Sequence, residues 1–175
     1  MQTKFKLCTF LILIILALMV MFSVVAGLEL AISEEKIQKF SLTKTDEVKK
    51  KWNLEAESAD LSEDPIIKLY NVELSIFEKQ KVTTRLTGEQ GDINKKTEDI
   101  HLEKNVIGKR VDGTQIKTTY IDWIAKTETF NTEAKVFITR KNIELIGYGL
   151  SADPGFKTMC IKKFPVMEIK REETK

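Results

Sequence analysis

The sequence predicts an all-β body of repeated antiparallel strands, preceded by one N-terminal transmembrane helix. Three observations carry this reading. Residues 7–28 are almost wholly apolar and carry no charge. From Trp52 onward Thr, Val and Ile become frequent and fall into short alternating runs. Within that part a pattern recurs at a spacing of 30 residues. The length, 175 residues, has room for one domain of ordinary size and an appendage.

A helix of about 20 apolar residues crosses the roughly 30 Å hydrocarbon layer, and 7–28 is long enough. Lys4 and Lys6 precede it, while Glu29, Glu34 and Glu35 follow it. The positive-inside rule then leaves 1–6 in the cytoplasm and puts 29–175 on the far side of the membrane. The run is longer than the 7–15-residue core of a signal peptide, which favours a retained anchor. A leader cleaved after Val24-Val25-Ala26 is the alternative. Cys8 starts the run rather than following it, which argues against a lipoprotein.

The charges sharpen the topology. The chain has 28 Lys+Arg, 26 Asp+Glu and a formal net charge of +2. Lys4 and Lys6 are the only charges before Glu29, so the remainder balances to zero. A neutral body excludes a dedicated nucleic-acid binder, which needs a basic surplus to displace counterions.

Residues 29–51 read as a juxtamembrane linker. Within it 32–40 can continue as an amphipathic helix with Ile37 and Phe40 on one side, but a solvated tether ending in Lys49-Lys50-Lys51 is the plainer reading. Residues 52–175 form the β body. Val72-x-Leu74-x-Ile76, Ile100-x-Leu102, the run Phe130-x-Thr132-x-Ala134-x-Val136-x-Ile138, and Ile143-x-Leu145 alternate with period two, the mark of strands with one buried face. Asp64-Pro65, Asn94-Lys95-Lys96, Asp112-Gly113, Lys141-Asn142 and Asp153-Pro154-Gly155 interrupt them as turns.

The repeat refines this picture. At an offset of 30, Asp92 falls on Asp122, Lys96 on Lys126, Thr97 on Thr127, Glu98 on Glu128, Ile100 on Phe130, Glu103 on Glu133 and Val106 on Val136. A spaced signature occurs in Leu86-x-Gly88-x-x-Gly91-x-Ile93, Ile116-x-Thr118-x-x-Ile121-x-Trp123 and Leu145-x-Gly147-x-x-Leu150-x-Ala152. Two residues between its third and sixth positions shift side-chain parity. That predicts a bulge or bend in each strand, which turns a corner with the apolar face kept inside. Such units stack into a sandwich, a jelly roll or a slit-like solenoid. Its interior is a plain core if the sheets close and a lipid-sized groove if they splay. Each terminal strand leaves an edge that a partner can extend.

The segments 66–74, 86–93, 99–106 and 143–153, in that order, resemble the LptC family of lipopolysaccharide export proteins and the related OstA-like periplasmic domains. The resemblance covers roughly 55–170 and the anchor. It rests on apolar spacing, Asn-Val and Gly-x-Gly rather than on any one diagnostic motif. It implies a twisted, V-shaped β-jellyroll whose interior passes the acyl chains of lipopolysaccharide during outer-membrane biogenesis. It further implies an inner-membrane Lpt ABC transporter at the N-terminal edge and an LptA-like periplasmic bridge at the C-terminal edge. The interior candidates carried over by position are Val72, Leu74, Ile76, Leu86, Ile93, Ile100, Leu102, Val106, Ile116, Ile121, Trp123, Phe130, Val136, Ile138, Leu145 and Leu150. Each of them reads equally well as ordinary core. The charged segment after Phe164, with Arg171-Glu172-Glu173, is a candidate cap for the C-terminal edge.

Catalysis finds no support. His101 is the only histidine and sits between Ile100 and Leu102, so it is expected to face out of the sheet. No triad is suggested around it. One His and one exported Cys, Cys160, cannot make a His/Cys zinc site or an internal disulfide. Gly147-Tyr148-Gly149 is no phosphate loop, because no helix pattern follows it. Lys162-Lys163 reads as a solvated strand end. The expectation is therefore a non-enzyme without cofactor or metal. The alternative to lipid transport is an anchored envelope-assembly subunit whose β repeat only makes protein contacts.

Overall fold

The computed structural model describes residues 36–169. The expected anchor at 7–28, the topology signal of Lys4 and Lys6 and the end of the charged tail lie outside the described residues. Among the described residues no helix is long and apolar enough to cross a membrane.

Nine strands follow one another: β1 (Lys36–Asp46), β2 (Lys49–Asp60), β3 (Ile66–Glu78), β4 (Lys81–Asn94), β5 (Ile100–Arg110), β6 (Gln115–Ile124), β7 (Thr129–Arg140), β8 (Ile143–Ala152) and β9 (Met159–Ile169). They form one antiparallel sheet in sequence order, each strand pairing with the next. The all-β expectation therefore holds. Residues 29–51 differ from the sequence reading. From Lys36 on they are not a tether but β1 and the start of β2, with Phe40 opposite Ala56 and Leu42 opposite Leu54. Eight Lys, Asp and Glu residues in 36–51 hid a strand whose apolar positions are few and widely spaced. Of the segment after Phe164, residues 165–169 continue β9, with Met167 opposite Leu145 and Ile169 opposite Ile143.

The turns fall at two ends. Call the end with 47–48, 79–80, 111–114 and 141–142 the A end, and the end with 61–65, 95–99, 125–128 and 153–158 the B end. The turn residues read from sequence occupy them. Asn94 accepts from the Lys96 and Thr97 N–H groups at 2.9 and 3.2 Å, which closes the turn after β4. Asp112 accepts from the Thr114 N–H at 3.0 Å, with Gly113 left-handed at φ 87°. The 30-residue repeat extends to the backbone, because Glu98 and Glu128 take the same left-handed conformation, φ 61° and 50°, in equivalent turns.

A crease crosses the sheet midway between the ends. Pairing slips between Thr87 and Gln90, Glu103 and Val106, Lys117 and Asp122, Thr132 and Lys135, and Ile146 and Tyr148. These are neighbouring positions on neighbouring strands, so the bends line up. Here the spaced signature finds its cause. Leu86, Gly88, Gly91 and Ile93 are all buried, and so are Ile116, Thr118, Ile121 and Trp123. Strict alternation would have sent half of each set to the outer face. In β3 the parity is reset at Asn71, left-handed at φ 51°, whereas in β5 Lys104 and Asn105 are left-handed in succession, at φ 60° and 54°, and the buried parity of Leu102 and Val106 is kept. Asparagine tolerates that region better than other side-chain-bearing residues. Asn71 donates to Glu57 at 2.6 Å on the outside of the crease, while the following Val72 turns in at 2% exposure. Asn105 does the same toward Glu89, ahead of the buried Val106. Gly91 is required by close approach, because a Cβ there would lie 2.5 Å from the His101 carbonyl oxygen.

Candidate lipid-binding interior

Folding at the crease turns the B half of the sheet over the A half. The contacts between halves run diagonally. Lys44 near the A end of β1 pairs with Glu98 in the turn after β4, at 2.7 Å. Lys51 near the A end of β2 pairs with Glu128 in the turn after β6, at 2.8 Å. Glu78 at the A end of β3 pairs with Lys157 in the turn after β8, at 2.7 Å. Gly108 in the A half of β5 faces the ring of Phe156 in that same turn. Early A halves thus sit against late B turns, the displacement expected when a strongly twisted sheet covers itself.

One apolar face is enclosed by this arrangement. Of the sixteen residues predicted for the interior, all but Leu145 are buried at 7% exposure or less, and Leu145 packs half-buried against them. The sheet brings them together as a single cluster. The space between the layers is filled by side chains: the Phe130 ring lies 4.9 Å from Trp123 and 5.4 Å from Phe156. The interior is closed at its centre and looser at its flanks. Ile37 and Leu42 on β1 share the inner face by register with Ala59 and Leu54, yet are 41% and 38% exposed. Ile143, two residues before Leu145 on the same face of β8, is 38% exposed.

Several interior residues escaped the sequence reading. Leu54, Ala56, Ala59 and the half-buried Leu61 carry the spaced signature in β2 and just beyond, and Ile67 and Leu69 complete it in β3 with the predicted Val72 and Leu74. The signal was present in both and could have been found by scanning for that spacing alone. Phe156 had no such signal, since it is a turn residue at φ 51° that is 1% exposed.

The outer face is polar, and His101 lies on it, as its alternation implied. Its side chain is one-third exposed and hydrogen-bonds Asp122 through Nδ1 at 2.6 Å. The ring packs beside Tyr120, with centroids 5.7 Å apart. Glu103 Oε2 stands 3.8 Å from Nε2. Burial pushes the neighbouring Asp92 carboxyl above the usual carboxylate range, against the opposing pull of His101. Nothing nucleophilic joins this group, and no set of His, Cys, Asp and Glu among the described residues is placed to hold a metal. Lys162 is engaged by Glu133. Cys160 is a free, exposed thiol.

The interior and its crease are matched by a model of lipopolysaccharide-assembly, LptC-related proteins, which covers residues 11–162. The chain belongs to this family. Members of the LptC-related family serve lipopolysaccharide assembly, and that role extends to this chain. The matched span takes in the crease, every predicted interior residue and most of the apolar run before Glu29. The fold also resembles LptH of Pseudomonas aeruginosa, the LptA-homologous periplasmic component of its lipopolysaccharide transport device. The TM-score is 0.53 at 12% identity, covering 69% of this chain and 95% of that one. No curated protein sequence matches the chain.

Proposed function

We propose that this chain carries lipopolysaccharide across the periplasm by holding its acyl chains between the two halves of the creased sheet, a twisted V-shaped jellyroll. The lipid comes from an inner-membrane Lpt ABC transporter at the β1 edge and goes to an LptA-like bridge at the β9 edge. Residues 7–28 hold the domain at the inner membrane, with the N-terminus cytoplasmic. The observation that carries this reading is the single apolar face running without a break from β2 to β8, closed at the centre and looser at both flanks. Each residue of that face offers a lipid chain about 25 cal/mol per Å² buried, enough for binding without chemistry.

Transfer by this route requires the two halves to part, because the interior candidates are inaccessible in the closed state. The ionic contacts that join the halves are weak. Lys44–Glu98, Lys51–Glu128 and Glu78–Lys157 join them through side chains that are mostly about half exposed, and such pairs are worth about 0–1 kcal/mol each. The energy for directional movement comes from the transporter.

The test is photo-crosslinking in cells, with a photoreactive residue at Ile100 or Phe130. Adducts to lipopolysaccharide are expected at these interior positions, and protein adducts at β1 and β9. If the interior never labels while the edges do, the chain is an envelope-assembly subunit that makes only protein contacts.

A further inference from the structure

At the open mouth between the A and B ends lies a cleft of about 320 Å³. Its apolar wall is Trp52, Ile76, Phe77 and Trp123, and its rim includes Lys49, Lys50 and Lys79. A second, smaller cleft of about 240 Å³ shares Trp52, Trp123, Lys51, Asp46 and Glu128 with the first. Two features set this place apart. The indole Nε1 of Trp123 is buried and has no hydrogen-bond acceptor, although the ring lines both clefts. An indole N–H is a donor only, and a buried donor without a partner costs free energy that an incoming oxygen would recover.

The second feature is how the rim charges are paired. Each carboxylate there is engaged: Glu128 and Asp46 with Lys51, Glu78 with Lys157, and Asp153 with the N–H groups of Gly155 and Thr158. Lys49 and Lys79 are exposed and have no anionic partner among the described residues. Lys50 has none either, its ammonium standing 5.8 Å from the Phe77 ring centroid. The lining as a whole balances, with Lys49, Lys50, Lys51 and Lys79 against Asp46, Glu78, Glu128 and Asp153, but Lys49, Lys50 and Lys79 are the ammonium groups left free to meet an incoming anion, and the wall behind them is apolar.

We propose that this cleft is the subsite where an anionic amphiphile enters the interior. Lys49, Lys50 and Lys79 hold the anionic oxygens of its headgroup. Trp52, Ile76 and Phe77 receive the first methylenes of its chain. The Trp123 indole N–H donates to an ester, amide or hydroxyl oxygen near the head once the chain parts the two layers. This deepens the reading of the interior as a lipid path and rests on it, adding the headgroup end and the point of entry. The Lys51–Glu128 pair lines both clefts.

The chain itself supplies the reporter. Its two tryptophans are Trp52 and Trp123, both in the wall of this cleft, so the anchor contributes no tryptophan signal. The full chain in neutral detergent is titrated with brominated-acyl phosphatidylglycerol as an anionic probe and with brominated-acyl phosphatidylcholine as its zwitterionic counterpart. The anionic probe is expected to quench the emission at lower concentration. Replacing Lys49, Lys50 and Lys79 together with Gln should weaken the anionic probe roughly tenfold and leave the zwitterionic one unchanged. The three lysines are exposed, so the variant should melt with the wild type.

If both probes quench alike and the triple variant changes neither, the cleft does not read charge and the inference fails. No quenching, while Ile100 and Phe130 still label with lipopolysaccharide, leaves the lipid path standing and removes this entry. Charge-dependent quenching without interior labelling keeps the cleft as an anionic-lipid site and removes the path.

Discussion

The two copies of the 30-residue repeat share a pattern of burial and differ in what fills it. Positions 86, 88, 91, 93, 100, 102, 106 and 108 are all buried, and so are their counterparts at 116, 118, 121, 123, 130, 132, 136 and 138. The side chains at those positions are not alike. Gly88, Gly91 and Gly108 in the first copy face Thr118, Ile121 and Ile138 in the second. Ile93 and Ile100 face Trp123 and Phe130. The first copy is therefore thin near the crease and aliphatic at its B end. The second copy is filled at the crease and aromatic at its B end. The difference follows from what each copy must cover. The first receives Phe156 from a later turn, so Gly108 must stay small. The second supplies the Trp123–Phe130 pair against which Phe156 also packs. Equivalent positions are equivalent in burial, and the diagonal overlap of the two halves decides their volume.

Truncation at the aromatic position should separate the copies most. Phe130→Ala removes a ring that is wholly buried between Trp123 and Phe156, and is expected to cost about 3–5 kcal/mol. Ile100→Ala removes less volume and should cost about 2–4 kcal/mol. Denaturant unfolding of both variants checks this. Equal losses would show that the aromatic cluster adds nothing to ordinary burial. Phe130→Ile should recover a large part of the loss, since it restores the side chain that the first copy carries.

Importing the second copy's residue into the first tests the diagonal overlap itself. A Cβ at Gly108 would lie 2.7 Å from Phe156 Cε2, closer than real Cβ atoms come to a neighbouring atom. Gly108→Ile must therefore expel or tilt Phe156 and should destabilise by about 1–3 kcal/mol, as overpacking does. The double variant with Phe156→Ala should be less damaged than the sum of the two single changes, because the second removes what the first collides with. Simple additivity in the thermal midpoints would mean that the two residues do not meet.

Much of this was legible before any coordinates. The period-two runs, the turn residues and the parity-shifting signature located β3 to β8, the crease and nearly the whole inner face. They did so because burial on one side of a pleated strand is written directly into the order of residues. The failures have physical reasons as well. β1 was hidden because an edge strand at the flank of the fold buries only part of its inner face. Ile37, Phe40 and Leu42 are diluted by the charges between them, and charged edges keep a sheet from pairing at random. Phe156 was hidden because its burial depends on a layer four strands away rather than on its own neighbours in sequence. The mouth cleft was hidden for the same reason. Trp52 and Trp123 lie 71 positions apart and meet only because the twist brings an early A end over a late B turn.

The A-end turns carry the smallest expected difference between the copies, and it depends on pH. Asp112 in the turn after β5 aligns with Asn142 in the turn after β7. The hydrogen bond from the Thr114 N–H, with Arg110 beside it, lowers the Asp112 carboxyl from its usual 3.8 to about 2. A lowered folded-state pKa means stability that is complete above about pH 4 and lost as pH falls from there toward 2. Asn142 cannot titrate, so the first copy's turn should loosen in acid while the second's should not. Asp112→Asn gives the first turn the second's chemistry. It keeps an oxygen for the Thr114 N–H but gives up the charge that faces Arg110 and Arg140. The variant should melt a few degrees at most below the wild type at pH 7, because the group is open to solvent. Between pH 4 and pH 2 the two curves should converge, the wild type losing what the variant never had. Parallel curves across that window would show that the carboxylate's hydrogen bonds add nothing to the fold.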